Sequence, residues 1–404
     1  LASNFYGNPS QKLRLIGITG TNGKTTTTYL IKSIMEANKK RIGLMGTIST
    51  QIGDKIYVSS RTTPEALDLQ CLFREMVDSG IDYAVMEVSS HSLELGRVEG
   101  CDFRTGVFTN LTQDHLDFHK TIENYRNAKK KLFYLVKGTN IINIDDEHGR
   151  IIADELKNLG TKPGTEAKTK LITYGIDNKA DIMAKNIEIT SKGVGFTIVT
   201  PEYEAELNIR IPGKFSVYNA LAAATVAYAE GIHRDIIKEG LSKVDNVPGR
   251  SEIIKTDTPY TVIVDYAHTP DGLQNILASV REYARGRIIT LFGCGGDRDK
   301  DKRPIMGNIA GKMSDYCIIT SDNPRTEEPM DIIRQIEAGI KTTGCDYICI
   351  ENRRDAIKYA LAMAKPDDIV LLAGKGHETY QVLKDRTIPF DERDVVDELL
   401  REEV

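Results

Sequence analysis

The stretch GITGTNGKTTTTYL, residues 17–30, constrains the fold more than any other part of the chain. It follows LRLIGI, which reads as a buried strand, and leads into Leu30, Ile31, Ile34 and Met35 at helical spacing. A strand, a glycine-rich loop and a helix in that order open a parallel α/β sheet, because parallel strands need a crossover between them. Gly20 and Gly23 let the backbone turn N–H groups toward an anion, and the helix beginning near Thr25 aims its positive end there. Lys24 would neutralise terminal phosphates, and the Thr25 hydroxyl would ligate Mg²⁺. The common phosphate loop carries a glycine five positions before its Gly-Lys pair; here that position is Ile18, with Gly17 and Gly20 on either side. A glycine turn with an incidental lysine is the competing reading.

Further short apolar runs at YAVMEV, TGVFTN, NIINID and LITYG alternate with helical stretches such as PEALDLQCLFREMVDSG, the pattern of a mostly parallel sheet. From Asp181 to Ile211 the period changes to strict alternation, which predicts an antiparallel meander, and YNALAAATVAYAEG then restores a helix. After VDNVPGR the alternation restarts with strands TVIVDYA, RIITLFG, DYCIITS, YICIEN and DIVLLAG among helices LQNILASVREYA, MDIIRQIEAGI and RDAIKYALAMA. The expected fold class is α/β. A central P-loop ATPase-type domain over 1–246, mostly parallel with an antiparallel addition, precedes a Rossmann-like doubly wound domain over 247–404. Each strand of the second half ends in a polar cluster, DYAHTPD, GCGGDRDKDKR, SDNPRTEE, ENRRD or AGKGHE, so one edge of that sheet is expected to be a site.

Composition narrows the partners. Fifty-three basic against fifty-eight acidic residues in 404 give a net charge of -5, without the basic excess of a nucleic-acid binder. No apolar run reaches the roughly 18 residues of a membrane span, and the first thirty residues lack a signal layout, so the chain is read as cytoplasmic. Six cysteines, Cys71, Cys101, Cys294, Cys317, Cys345 and Cys349, form no metal or disulfide spacing and are expected to be buried thiols.

Within the first half, Glu87 closes YAVMEV, where a carboxylate is placed to hold magnesium or order its water; a solvated strand end is the alternative. FTNLTQDHLDFHKT offers His115 and His119, of which one is expected to be functional. Three successive lysines in YRNAKKKLF read as a wet helix face, and composition alone does not single out Lys129.

GTNGKTT, MEVSSHSLELGRV, TNLTQDHLDFH, YRNAKKKLF, PGKFSVYNALAA, VPGRSE, DYAHTPD and FGCGGDRDKDKRPIMG occur in the order found in the Mur ligases, the ATP-dependent amide-forming enzymes of peptidoglycan precursor synthesis. The chain resembles that family over nearly its whole length, and TGTNGKT is the family's version of the phosphate loop. The resemblance implies that Gly20, Thr21, Asn22, Gly23, Lys24, Thr25, Thr26, Asn110, Asn219, Arg250, Asp265 and His268 contact ATP. It makes Thr25, Glu87, His115 and Lys129 the residues of a two-Mg²⁺ site, with Lys24, Glu87, His115 and Lys129 catalytic. Lys129 would carry a carbamate from CO₂, which turns a cation into an anion; CO₂ attacks only the neutral amine, so the site has to lower the lysine pKa.

The resemblance also implies what ATP is spent on. A carboxylate oxygen is a poor leaving group, and phosphorylation gives an acyl phosphate that an amine can attack, in a site expected to close against water. TSDNPRTEEP resembles the signature of family members that add meso-diaminopimelate to UDP-N-acetylmuramoyl-L-alanyl-D-glutamate. Arg325 would clamp the second carboxylate bidentately, with Arg298, Asp322, Asn323, Pro324, Gly374 and Glu378 completing the pocket. Thr62, Thr63, Ser89 and Arg97 match contacts to the UDP-linked muramoyl dipeptide, while Arg61 and Leu95 depart from the versions usual in the family. Only nineteen residues precede the loop, starting at Leu1, where family members carry a small uridine-binding domain. A chain lacking that domain is expected, with weak uridine binding and a monomeric state. Folylpolyglutamate synthase, a stand-alone peptide ligase on a cyanophycin-like or archaeal wall acceptor, and a catalytically silent nucleotide-binding protein are the rival readings.

Overall fold

A computed structural model describes residues 1–159 and 169–402. The chain divides into two compact units, the first made of Leu1–Glu188, Gly193–Arg210 and Lys214–Asp245, the second of Ile189–Lys192, Ile211–Gly213 and Asn246–Val404.

In the first unit, the apolar runs become β1 (Arg14–Thr19), β2 (Ile42–Met45), β3 (Ser49–Ile52), β4 (Lys55–Val58), β5 (Tyr83–Glu87), β6 (Phe103–Phe108), β7 (Val136–Asn143), β8 (Lys170–Gly175), β9 (Ile182–Thr190), β10 (Gly193–Val199) and β11 (Glu204–Ile209). They form one sheet in the order β11-β10-β9-β8-β7-β6-β1-β5-β2-β3-β4. β1 lies in the middle, parallel to β5 and β6, and its Leu15, Ile16 and Ile18 are fully buried. Each such side chain contributes about 1.5–3 kcal/mol on burial, which fixes β1 and the loop that leaves it. The helix Lys214–Ala229 is apolar all round, and eleven of its residues, Ser216 to Ala227, are buried against the sheet and the helix Lys24–Ala37.

The antiparallel addition is present: β9, β10 and β11 are consecutive neighbours, with β10 and β11 antiparallel, and β9 joins the addition to the rest of the sheet by pairing in parallel with β8. A second antiparallel extension, β2–β3–β4, closes the opposite edge. Four-residue strands broken by glycines give no period long enough to read, which is why it was not expected.

The second unit holds β12 (Glu252–Ile254), β13 (Thr261–Asp265), β14 (Ile288–Phe292), β15 (Tyr316–Ile319), β16 (Tyr347–Cys349) and β17 (Ile369–Ala373), in the order β12-β13-β17-β14-β15-β16. All neighbours from β13 to β16 are parallel, and only β12 runs antiparallel. Alternate residues feed two cores: Ile263, Leu371, Ile288, Phe292 and Cys317 on one face, Val262, Val264, Val370, Leu372 and Ile318 on the other. A sheet buried on both faces is doubly wound, and its carboxyl edge gathers the polar clusters. A hairpin, β18 (Tyr380–Val382) with β19 (Thr387–Pro389), follows.

The expectation of six buried thiols is corrected: Cys101, Cys294 and Cys317 are buried, Cys345 and Cys349 half-buried, and Cys71 exposed. Cys71 lies on the helix Ala66–Asp78, away from its buried face of Leu69, Phe73 and Met76. Among the described residues no helix is long and apolar enough to cross a membrane.

Candidate active site

The loop between β1 and the helix Lys24–Ala37 is shaped by close approach. Gly20 has φ of +154° and Gly23 of +83°, and a Cβ would stand 1.9 Å from Thr109 Oγ1 at the first and 2.3 Å from Asn219 Oδ1 at the second. Only glycine fits either place. The loop is braced from the end of β6, where Asn110 O accepts from Thr21 N (2.9 Å), Asn110 Oδ1 accepts from Asn22 N (2.9 Å), and Thr109 Oγ1 donates to Asn22 O (2.6 Å). Lys24 folds back on its own loop, its Nζ 3.0 Å from Gly20 O and 2.8 Å from Thr21 O. Thr25 and Thr26 are buried in the first helical turn, and Thr27 Oγ1 reaches Asn219 Oδ1 at 3.5 Å.

Glu87, at the carboxyl end of β5, is only 1% exposed. Its Oε1 accepts from Thr25 Oγ1 (2.9 Å) and Thr47 N (2.9 Å), and its Oε2 from Thr47 Oγ1 (3.0 Å). Among the described residues no three His, Cys, Asp or Glu side chains gather as a metal cage. Magnesium does not need one, since it commonly binds through one or two carboxylates, phosphate oxygens and waters. A buried carboxylate bonded to the hydroxyl at a phosphate loop is a donor set that fits this ion.

Lys129, on the helix Ile122–Leu135, is 2% exposed, with its Nζ 2.7 Å from Gly20 O and 4.4 Å from the centre of the Tyr125 ring. Burial first, and then the nearby Lys24 charge, push its pKa well below the usual lysine value. Two lysines therefore meet on one loop carbonyl, which the sequence does not disclose. His115 is exposed, in a left-handed conformation (φ 52°), beside Asp114; His119 is buried with Nε2 2.9 Å from Ser90 Oγ. Partial desolvation lowers the His115 pKa even though its side chain keeps 46% exposure, with the His91, Lys129 and Lys24 charges adding to it, and burial lowers His119 to about 4. His91 joins them, its ring centre 4.8 Å from that of His115 and 5.6 Å from that of His119. Among the described residues none of the three hydrogen-bonds to Glu87 or Lys129, although the Lys129 charge helps to lower the pKa of all three.

Thr62, Thr63, Ser89 and Arg97 are brought together around the Glu87 backbone. Thr63 Oγ1 donates to Glu87 O (2.9 Å) and accepts from Ser89 N (3.0 Å), Arg97 Nη1 lies 3.4 Å from Thr63 O, and Thr62 Oγ1 lies 3.1 Å from Thr47 Oγ1. Arg97 also pairs with Glu65 at 2.8 Å. Of the two departures, Arg61 is exposed beside Glu65 and Leu95 is exposed.

In the second unit, Asp265 ends β13 and accepts from Ser251 N (2.7 Å); burial raises its pKa, against the opposing charge of Arg250. Arg250 covers the Tyr266 ring at 4.9 Å, and His268 Nδ1 lies 2.8 Å from Tyr266 O. At the ends of β15 and β17, Asn323 Nδ2 donates to Glu378 Oε2 (2.8 Å), while Lys375 Nζ reaches the same oxygen (3.1 Å) and Asn323 Oδ1 (3.2 Å). Burial works to raise the Asp322 pKa, but Lys375 and Arg353 outweigh it and hold it below the usual value. A Cβ on Gly374, at φ +117°, would stand 2.9 Å from Asp322 Oδ2. Arg325, also left-handed (φ 52°), follows buried Pro324 and, among the described residues, donates through Nη1 to Gly296 O (2.8 Å) and Asn323 O (3.4 Å). Arg298 is exposed and bonded to Asp297 O (3.0 Å), yet it flanks Gly295 with Arg325.

Sequence reasoning missed Thr47, Tyr125 and Lys375. The first sits in an unremarkable turn, the second is four residues before Lys129 on one helix face, and only the third had a signal, its place inside AGKGHE. It also missed two buried pillars. Arg353 pairs with Glu392 at 2.8 Å, and Arg303 with Glu327 at 2.9 Å, the latter pair holding the Glu327 carboxyl down to about 2.

The family model for the Mur ligase middle domain matches residues 18–227, and that for the Mur ligase, glutamate ligase domain matches residues 249–376. The chain belongs to the Mur ligase family, whose members are ATP-dependent ligases that use Mg²⁺. Within it, the chain is 53% identical over 402 residues to the UDP-N-acetylmuramoyl-L-alanyl-D-glutamate--2,6-diaminopimelate ligase of Caldanaerobacter subterraneus subsp. tengcongensis, covering 100% of this chain and 81% of that protein. A solved diaminopimelate ligase structure of the same name superposes with a TM-score of 0.71 at 35% identity, covering 97% of this chain and 79% of that one. A pseudomurein peptide ligase type C from Methanothermus fervidus gives the same TM-score of 0.71 at 20% identity, covering 98% and 81%, and shows the shared fold alone.

Proposed function

We propose that this chain joins meso-diaminopimelate to UDP-N-acetylmuramoyl-L-alanyl-D-glutamate with the conversion of ATP to ADP and phosphate. The observation that carries the reading is at the second sheet's edge, where Arg325 and Glu378 flank Asn323. Among the described residues Arg325 donates through Nη1 and leaves Nε and Nη2 to a carboxylate, and both side-chain bonds to Glu378 end on Oε2, leaving Oε1 to an ammonium. An amino acid with a second ammonium-carboxylate centre matches that pair. The name of the relative that is 53% identical supports the same substrate.

In the first unit, the loop N–H groups and Lys24 would hold the phosphates, with Asn110 and Asn219 as further nucleotide contacts; in the second unit, Arg250, Asp265 and His268 are assigned to the nucleotide on the family resemblance. A carboxylate oxygen of the acceptor attacks the γ-phosphorus, and the bond to ADP breaks. The amine then attacks the carbonyl carbon of the acyl phosphate, phosphate leaves, and the nitrogen loses a proton. Thr25 and Glu87 would hold Mg²⁺, with His115 and a carbamylated Lys129 at a second ion; the ions supply charge stabilisation between carboxylate and phosphate. Burial keeps the Lys129 amine neutral more readily than an exposed lysine, which is what addition of CO₂ requires. Thr62, Thr63, Ser89 and Arg97 would hold the acceptor. Every residue assigned comes from one chain, and we take a monomer as the working unit.

A product assay by mass spectrometry tests the reading, with ATP, Mg²⁺, bicarbonate and the UDP-linked dipeptide, offering meso-diaminopimelate and L-lysine in equal amounts. The diaminopimelate-containing tripeptide should dominate. Preference for lysine would overturn the Arg325 and Glu378 assignment.

A further inference from the structure

Glu87 is a buried carboxylate with no lysine or arginine paired to it among the described residues; neutral donors hold it instead. Thr47 supplies two of the three bonds and the sole one to Oε2. The turn that carries Thr47, between β2 and β3, lies close against the carboxylate: a Cβ on Gly46 would lie 2.3 Å from Glu87 Oε1. Fixing both oxygens sets the plane of the carboxylate, which one hydroxyl at Thr25 would leave free to rotate.

The hydroxyl inventory then gives the chain a direction. A threonine hydroxyl has one proton and two lone pairs. Thr47 spends its proton on Glu87 Oε2, so at the 3.1 Å contact with Thr62 Oγ1 it can only accept. The order Thr62 to Thr47 to Glu87 connects the segment proposed for the acceptor with the carboxylate beside the phosphate loop.

We propose that Thr47 is a positioning residue that holds the Glu87 carboxylate oriented for a divalent cation at the Thr25 hydroxyl, with Thr62 as the donor behind it. The inference rests on the reading of Thr25 and Glu87 as cation-holding residues. Partners of this kind behind a metal ligand commonly change metal affinity by about 10–100-fold when removed.

The test uses Mn²⁺ with ADP, with protein-bound Mn²⁺ read by electron paramagnetic resonance. Thr47→Val keeps the backbone bond and loses the hydroxyl, and should weaken Mn²⁺ binding by about 10–100-fold, while Thr47→Ser should stay within about threefold of wild type. Thr62→Val should cause a smaller loss than Thr47→Val. Should the valine variant not fold, Thr47→Ala gives the same reading without the added methyl. Unchanged binding in Thr47→Val, or a serine variant no better than valine, overturns the inference alone. If the wild-type protein itself leaves Mn²⁺ and ADP unbound, the cation reading of Thr25 and Glu87 falls and takes this inference with it.

Discussion

The two units both concentrate polar residues at the carboxyl edge of a parallel sheet, yet they hold them by different means. Around the phosphate loop most of the bracing comes from backbone and neutral side chains, namely glycines that admit Thr109 and Asn219, the Asn110 amide and hydroxyls around Glu87, and the charged groups on the loop carbonyls are two cations, Lys24 and Lys129. The second unit's edge is held by ions, with Lys375 between Asn323 and Glu378, Arg353 against Glu392, and Arg303 against Glu327. A site for a polyanion keeps its fixed charges few and its N–H groups many. A site for an amino acid with charges of both signs needs fixed charges of both signs, and each has to be balanced beneath the surface.

The difference predicts where substitutions act on stability and where on chemistry. Arg353→Met should have the largest effect, because it leaves Glu392, 1% exposed, without its cation. A loss of about 3–5 kcal/mol of unfolding free energy in urea is expected. A loss under about 1 kcal/mol, the surface-pair range, would break the comparison.

Lys129→Met should separate chemistry from stability. It removes the amine proposed to carry the carbamate, so ligation should fall by about 10²–10³-fold while ADP still binds. Linkage gives a second sign. The folded pKa of Lys129 lies below its unfolded value, so the burial penalty is fully present below the folded pKa and fades as pH rises toward the unfolded one. The methionine variant should therefore gain stability over wild type on the acidic side, and bicarbonate dependence should vanish with the amine. Melting curves across pH and a bicarbonate titration check both.

Arg325→Ala should be the mildest of the three. Losing a charge-assisted pair worth about 1.5–3 kcal/mol raises the KM for diaminopimelate by about 10–100-fold and leaves that for ATP in place. Steady-state kinetics with each substrate varied would show it, and equal changes in both constants would place Arg325 outside the amino-acid site.

The same contrast explains what was legible in the sequence. Gly20, Gly23, Lys24 and Thr25 stand within six residues, and the loop was legible despite its unusual glycine spacing because LRLIGI reads as the strand before it and Leu30, Ile31, Ile34 and Met35 as the helix after it. The doubly wound second unit was legible too, because strands buried on both faces leave unbroken apolar runs such as TVIVDYA and DIVLLAG. Long-range polar contacts are not written this way: the Arg353–Glu392 ion pair is joined across 39 positions, and the Asn323–Glu378 hydrogen bond across 55. Thr47 and Tyr125 were hidden because hydroxyls near a site look like hydroxyls anywhere. The strands β2 to β4 were too short to show a period, and DNPR read as a plain turn until family motifs framed it.

One feature of the second sheet bears on how the protein is made. β17 is the last of its parallel strands in the chain and lies between β13 and β14, pairing with both. During translation β13 and β14 emerge first, each with the edge meant for β17 unfilled. Until Ala373 has left the ribosome those edges stay open to strands of other nascent chains, so the safety of the second unit depends on the speed with which its last parallel strand arrives.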